Sequence, residues 1–152
     1  MLRALPAGPV ISDPKVYYRK LGSHLYPIEK DFFTQTRIYP KETVATLNGL
    51  LILTKHGVLI ERCGYVCDGP SGPTFDTKSS IRGGFVHDGG YRLMRRGLVS
   101  LDTRIIWDEH ICEICIEDKM WVWRANSWYK MLRLCGKKNA SPKNVRPILI
   151  AP

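Results

Sequence analysis

The stretch from residue 81 to residue 96, IRGGFVHDGGYRLMRR, predicts a helix at the centre of the chain. Ser79 or Ser80 can supply its N-cap, because a serine hydroxyl accepts a hydrogen bond from the unpaired amides of a first turn, and Gly97 ends it. The helix contains four glycines. Each weakens a helix by roughly 1 kcal/mol relative to alanine. Such a density indicates close approach of either a ligand or a neighbouring helix, and the sequence leaves both open.

Two further helices are predicted downstream of this one. Ser100 can cap a helix over residues 101–118, and a third helix runs from residue 121 to residue 134 and ends at Gly136. The C-terminal half of the core is therefore expected to contain three helices.

A β-hairpin is predicted upstream. Residues 49–54 and 58–63 are rich in leucine, isoleucine and valine, and Gly57 between them suits a tight turn. The following stretch DGPSGP, at residues 68–73, cannot lie inside a helix. We expect it to form a shaped loop between the hairpin and the helices.

These elements together predict a single domain of the α+β class. Residues 1–48 are interrupted by prolines and show no sustained period, which is typical of an irregular arm with short strands packed on the domain. Residues 49–136 are expected to be the core domain, and residues 137–152 a basic extended tail. A chain of 152 residues can bury one substantial core.

The composition excludes several classes of protein. At 44% hydrophobic and 24% charged residues it is typical of a globular protein and not of a disordered or fibrous one. No apolar run approaches the roughly 18 residues that a membrane-spanning helix needs. The five cysteines, an odd number, make a poor disulfide framework, so we expect reduced thiols and synthesis in the cytoplasm.

The net charge of +9 is concentrated late in the chain. It favours an anionic partner such as nucleic acid, phospholipid or an acidic protein face, although a solvated basic surface is an equal alternative. The third helix interleaves tryptophans with basic residues, which would permit base stacking. However, Trp121, Trp128 and Leu132 recur at the spacing of a core stripe, so specific nucleic-acid binding is not favoured.

The main chemical signal is a histidine with nearby carboxylates. His87 and Tyr91 are four residues apart and share a helical face, with Asp88 beside them. Asp108 interrupts the apolar stripe of the second helix and needs a partner, because burying an unpaired charge is costly. If the helices pack antiparallel, Asp108 faces His87, an arrangement that suits general-base activation of water. The alternative is a buried structural pair without activity.

Two metal sites are conceivable. Backbone carbonyls of the loop at Asp68 and Gly69, together with Asp88, would suit a hard cation such as Ca²⁺, although the loop amides could equally hold an oxyanion. A zinc site is a weaker alternative, because a CxxxC spacing without a second matched pair has low specificity. Its ligands would be Cys63, Cys67, His110 and Cys112.

Several segments, taken in order, resemble a family from phages and prophages catalogued as domain of unknown function 1353. They are GYVCDGPSGP at residues 64–73, VHDGGYR at residues 86–92, Trp107-Asp108, and the segment from Trp128-Tyr129 to Gly136. The resemblance covers about residues 50–136, and Pro70 and Gly72 depart from the family's loop pattern. It implies a phage origin and no established activity.

The order of a Gly-Pro loop, a His-Asp-x-x-Tyr helix and a later Asp is also similar to the phospholipase A2 domain of parvovirus capsid proteins. That likeness implies that His87 is the base and that Asp88 binds calcium with loop carbonyls near Gly69. It further implies that Asp108 orients His87 and that Tyr91 supports Asp108. The chain lacks the full glycine pattern of the calcium loop and a disulfide framework.

We therefore expect a phage-encoded protein with a hydrolase-like His/Asp site, acting with calcium on lipid or on a cell-envelope ester or amide. The alternative is a non-catalytic virion component of the tail or baseplate, in which His87, Asp88 and Asp108 form a buried structural network. The expected partners are other virion proteins or an anionic lipid or envelope surface. The expected location is the host cytoplasm at synthesis, followed by incorporation into the virion.

Overall fold

The computed structural model describes residues 15–22, 25–67, 77–145 and 149–150, and these form an α+β fold. One sheet pairs β1 (Tyr26–Pro27) with β6 (Val66–Cys67), and the other has the order β2 (Phe32–Gln35), β5 (Val58–Glu61), β4 (Leu51–Leu53), β3 (Val44–Ala45), all antiparallel. The helices are α1 (Lys78–Arg95), α2 (Arg104–Glu117), α3 (Val122–Cys135) and the short α4 (Lys137–Ala140). Single 3₁₀ turns occupy Leu101–Thr103 and Pro142–Asn144.

The predicted hairpin is confirmed as β4 and β5. Leu53 pairs with Leu59, and both are fully buried. Gly57 in the turn has φ of +79°, and a Cβ there would lie 3.0 Å from the carbonyl oxygen of Thr36. The turn therefore requires glycine for its backbone conformation and for the space beside it.

The segment expected to be an irregular arm contributes two of the four strands of the larger sheet. β2 pairs with β5 along its whole length, and β3 pairs with β4. Tyr26, Ile28 and Phe32 are buried in the same core as the hairpin, so the packing has no boundary at residue 49. Strands this short do not show a measurable alternation in sequence. Residues 1–14 of the arm, and the loop expected at residues 68–73, lie outside the described residues.

The first helix begins slightly earlier than predicted. Thr77 is its N-cap, and the amide of Thr77 donates a hydrogen bond to the hydroxyl of Ser80 at 3.0 Å. Ser80 therefore lies in the first turn, so the prediction that Ser79 or Ser80 caps the helix is wrong by two or three residues. Ser100 caps the 3₁₀ turn that leads into α2, where its hydroxyl accepts a bond from the amide of Asp102.

The expected extended tail is wrong for residues 137–144. This segment forms α4 and a 3₁₀ turn, and it packs back on the domain through Ala140, which is fully buried in the main core. The guanidinium of Arg95 also donates to the carbonyl oxygen of Asn139 at 3.0 Å. None of the described helices combines the length and apolar character that crossing a membrane requires.

Glycines allow α1 to lie very close to its neighbours. A Cβ at Gly90 would lie 2.1–2.5 Å from ring carbons of Trp107 on α2, and one at Gly83 would lie 3.1 Å from the carbonyl oxygen of Ile111. Gly89 instead faces the sheet. Of the two explanations left open by the sequence, close packing of neighbouring elements is therefore the one that accounts for these three glycines. It also brings α2 within hydrogen-bonding distance of the centre of α1.

Candidate active site

Asp108 is the centre of a buried polar network that joins three helices. Its side chain is fully buried, and its Oδ1 lies 3.0 Å from His87 Nε2 and accepts a 2.7 Å hydrogen bond from the Tyr91 hydroxyl. Its Oδ2 accepts a 2.9 Å bond from Arg133 on α3, and the guanidinium of Arg104 lies 3.7 Å away. The structure thus brings together the three residues that the sequence proposed as catalytic.

The network keeps the carboxylate of Asp108 charged. Burial raises the pKa of Asp108, but hydrogen bonds from His87, Tyr91 and Arg133 together hold it below its usual value. Burial, followed by the hydrogen bond to Asp108, raises the pKa of Tyr91 far above its usual value. Asp108 is therefore an acceptor, and the phenol of Tyr91 is a permanent donor to it.

This arrangement selects one tautomer of His87. Because the charged Asp108 can only accept, His87 Nε2 carries a proton and Nδ1 of the neutral ring carries the lone pair. Nδ1 has no hydrogen-bond partner among the described residues, and the side chain is 13% exposed. The ring packs against Tyr91 at 4.0 Å between centroids. An imidazole held in this way can accept a proton from water.

Asp88, the proposed calcium ligand, does not join this network. Its Oδ2 accepts a 2.7 Å hydrogen bond from the Tyr65 hydroxyl, and the guanidinium groups of Arg92 and Arg95 lie 3.4 and 3.9 Å from its carboxylate. Two guanidinium groups at this distance disfavour a second cation, so the described contacts of Asp88 do not fit calcium. Asp68 and Gly69, the other proposed ligands, lie outside the described residues.

The zinc alternative is not supported by the described cysteines. Across the parts of the chain that the structure describes, no group of three or more His, Cys, Asp or Glu side chains could hold a metal ion. Cys67 is buried and contacts the carbonyl oxygen of Gly84, and Cys112 contacts Asn126. Burial raises the pKa of Cys112 and raises that of Cys115 to about 12.

Sequence reasoning missed the cationic half of the network. Arg104 lies four residues before Asp108 on the same helix, a spacing that could have indicated the pair. Arg133 is on another helix, and Tyr65, the partner of Asp88, follows the hairpin. For these two residues the sequence contains no local signal.

Glu61 at the end of β5 is a second buried acid near α1. It is fully buried, both of its carboxyl oxygens are without a hydrogen-bond partner among the described residues, and Oε1 lies 3.0 Å from a Cβ built at Gly89. Burial and then the charge of Asp88 raise the pKa of Glu61 well above its usual value, against an opposing effect of Arg92. The folded protein therefore favours the protonated, uncharged form of this side chain.

Glu61→Gln is expected to gain stability relative to wild type as the pH rises. The unfolded glutamate titrates near pH 4.3, whereas the folded carboxyl stays protonated to much higher pH. The stability that Glu61 contributes to the folded protein is thus complete below about pH 4.3. Above that pH it is lost at up to about 1.4 kcal/mol per pH unit. Urea unfolding at acidic and alkaline pH measures the difference in the free energy of unfolding between Glu61→Gln and wild type. The exposed Glu42→Gln is the control. A difference in stability between Glu61→Gln and wild type that does not change with pH would contradict a raised pKa of Glu61.

A polar cleft of about 190 Å³ lies between β2 and the helices, lined by residues that include Arg82, His110, Glu113 and Glu117. Its charged groups are already paired, since Arg82 binds Glu117 at 2.8 Å and Glu113 binds Arg37 at 2.8 Å. Neither His87 nor Asp108 lines it. The cleft is therefore separate from the candidate active site.

Comparison of the chain with known protein families, with curated proteins and with solved structures finds no match.

Proposed function

We propose that this protein is a phage-encoded hydrolase in which His87 is the general base, acting on lipid or on a cell-envelope ester or amide. The observation that carries the proposal is the 3.0 Å contact between His87 Nε2 and the fully buried Asp108 Oδ1. This contact leaves Nδ1, which has no hydrogen-bond partner among the described residues, available to accept a proton. The basic charge of the chain supports an anionic substrate surface.

In the proposed reaction His87 Nδ1 takes a proton from a water molecule as its oxygen attacks the carbonyl carbon. The imidazolium that forms is stabilised by the charge of Asp108, which Arg133 and Arg104 hold in place. The proton then passes from Nδ1 to the leaving oxygen or nitrogen as its bond to the carbonyl carbon breaks. Because the contacts of Asp88 do not fit calcium, no step of this reaction is assigned to a metal.

His87→Gln is expected to reduce hydrolysis by at least about 100-fold, because the amide cannot act as a base. The assay measures fatty-acid release from phospholipid vesicles and cleavage of a soluble ester, each with added calcium and with chelator. His56→Gln, at an exposed position in the hairpin turn, is the matched control and should retain wild-type rates. Equal turnover by His87→Gln and wild type would show that His87 is not the base.

The calcium expectation is tested by Asp88→Asn in the same assay. If Asp88 serves the structure through Tyr65 and Arg92, chelator leaves the wild-type rate unchanged. A rate that requires calcium and is lost in Asp88→Asn would assign calcium to this residue and overturn the metal-free reaction.

A specific observation also favours the alternative of a non-catalytic tail or baseplate protein. Both oxygens of Asp108 are occupied, and they connect α1, α2 and α3, as expected for a structural network. In that case wild-type protein hydrolyses none of the substrates, and His87→Gln lowers the free energy of unfolding by a few kcal/mol. Under the hydrolase proposal, His87→Gln loses turnover while the free energy of unfolding changes little, because the side chain of His87 is partly exposed.

A further inference from the structure

The net positive charge of the chain is almost entirely in its last part. Residues 119–152 contain eight lysines and arginines and no aspartate or glutamate. Residues 1–118 contain fifteen lysines and arginines against fourteen acidic residues, so they are nearly neutral. The segment that carries α3 and α4 is therefore a separate cationic region of the molecule.

The same region exposes an unusual amount of apolar surface. Trp121 and Trp123, at the start of α3, are 70% and 65% exposed, and Val122 between them is 57% exposed. Further along α3, Met131 is 41% and Leu134 83% exposed. A group of large apolar side chains exposed together in one region of a folded domain indicates a site of interaction.

Four exposed side chains of α3 lie on one side of the helix. The helix places on one face the residues that follow Trp123 by seven, eight and eleven positions. These are Lys130, Met131 and Leu134. The opposite face packs Ala125 and Trp128 against α2. We call these four residues, together with the exposed N-cap Trp121 and the first helical residue Val122, the α3 outer face.

We propose that the α3 outer face lies in the plane of an anionic lipid bilayer. Tryptophan rings favour the membrane–water boundary, aliphatic side chains enter the acyl region, and lysines contact anionic headgroups. Lys137 and Lys138 of α4 follow directly and are exposed to the same headgroups. The inference does not rest on the proposed hydrolysis, because no residue of the surface belongs to the Asp108 network.

The chemistry of the surface fits a bilayer better than a nucleic acid. The rings of Trp121 and Trp123 are inclined at 46°, so they offer no common plane on which successive bases could stack. Val122, Met131 and Leu134 contribute aliphatic area, which hydrocarbon matches and base edges do not.

The test is co-flotation of the full chain with vesicles of phosphatidylcholine, with and without phosphatidylglycerol. Wild type is expected to bind the anionic vesicles, to bind the zwitterionic vesicles more weakly, and to dissociate as salt is raised. Tryptophan fluorescence should shift to shorter wavelength on binding. Trp121→Ser combined with Trp123→Ser should reduce binding about tenfold or more, and Lys130→Gln about fivefold.

Leu47→Ser and Lys41→Gln are the matched controls, at exposed positions in the sheet region, and should leave binding unchanged. The inference is overturned if wild type binds no vesicles, or if the double tryptophan variant binds as well as wild type. It is also overturned if the protein does not bind vesicles and the same variants instead abolish its binding to a single-stranded oligonucleotide or its dimerisation. His87→Gln should bind vesicles like wild type. Vesicle binding by the wild-type protein without hydrolysis would contradict only the proposed function.

Discussion

Gly90→Ala is expected to lower the free energy of unfolding by at least about 2 kcal/mol, although alanine is the better helix former by roughly 1 kcal/mol. The added Cβ would lie 2.1–2.5 Å from three carbons of the Trp107 ring. That ring is fully buried and cannot move aside as the end of a flexible side chain could. To relieve the overlap α1 and α2 must separate, which opens the packing around both helices. Denaturant unfolding at neutral pH measures the loss.

Two comparisons make the cause specific. The Cβ of Gly83→Ala would lie 3.0–3.2 Å from atoms of α2. The free energy of unfolding should therefore fall clearly less than in Gly90→Ala. In a Trp107→Leu background the alanine at position 90 has room, and its cost should fall by more than half. If Gly90→Ala is neutral or stabilising in the wild-type background, the close approach of the two helices is not what the glycine provides.

The elements that the sequence predicted well are those whose signals are local. Apolar periodicity and the terminal glycines lie within or directly after each helix, and the hairpin has its turn glycine at Gly57. β2 and β3 gave no such signal because a strand of two to four residues is too short to alternate visibly. Their pairing with the hairpin is decided by the burial of residues such as Phe32, which is a tertiary effect.

The candidate site divides in the same way. The contact between His87 and Asp108 followed from the requirement that a carboxylate in an apolar stripe find a partner. Asp88 was assigned to calcium by resemblance, whereas its environment contains Tyr65 and two arginines that only the folded chain brings near. Arg133 likewise approaches Asp108 from a different helix.

Asp108→Ala is expected to lower the free energy of unfolding by about 3–5 kcal/mol, more than Gly90→Ala does. The substitution removes the carboxylate of a buried ion pair and leaves the cation without its partner. Arg104, with 12% of its side chain exposed, would lose its carboxylate, and the buried hydroxyl of Tyr91 would lose its acceptor. The control is Glu109→Ala on the same helix. Glu109 pairs with Arg37 at 2.8 Å, but both side chains are more than 40% exposed, so its loss should stay below about 1 kcal/mol.

The pH dependence separates the charge of Asp108 from its volume. The hydrogen bonds and charges around Asp108 hold its folded pKa below the unfolded value near 3.9. The stability that it contributes is therefore complete above about pH 4 and is lost as the pH falls through the lower folded pKa. Asp108→Asn, similar in size but uncharged, should be less stable than wild type at neutral pH, with the difference shrinking in acid. A difference that is the same at pH 7 and in acid would mean that Asp108 acts through packing alone, and the charged base–carboxylate pair on which the proposed hydrolysis depends would then lose its physical basis.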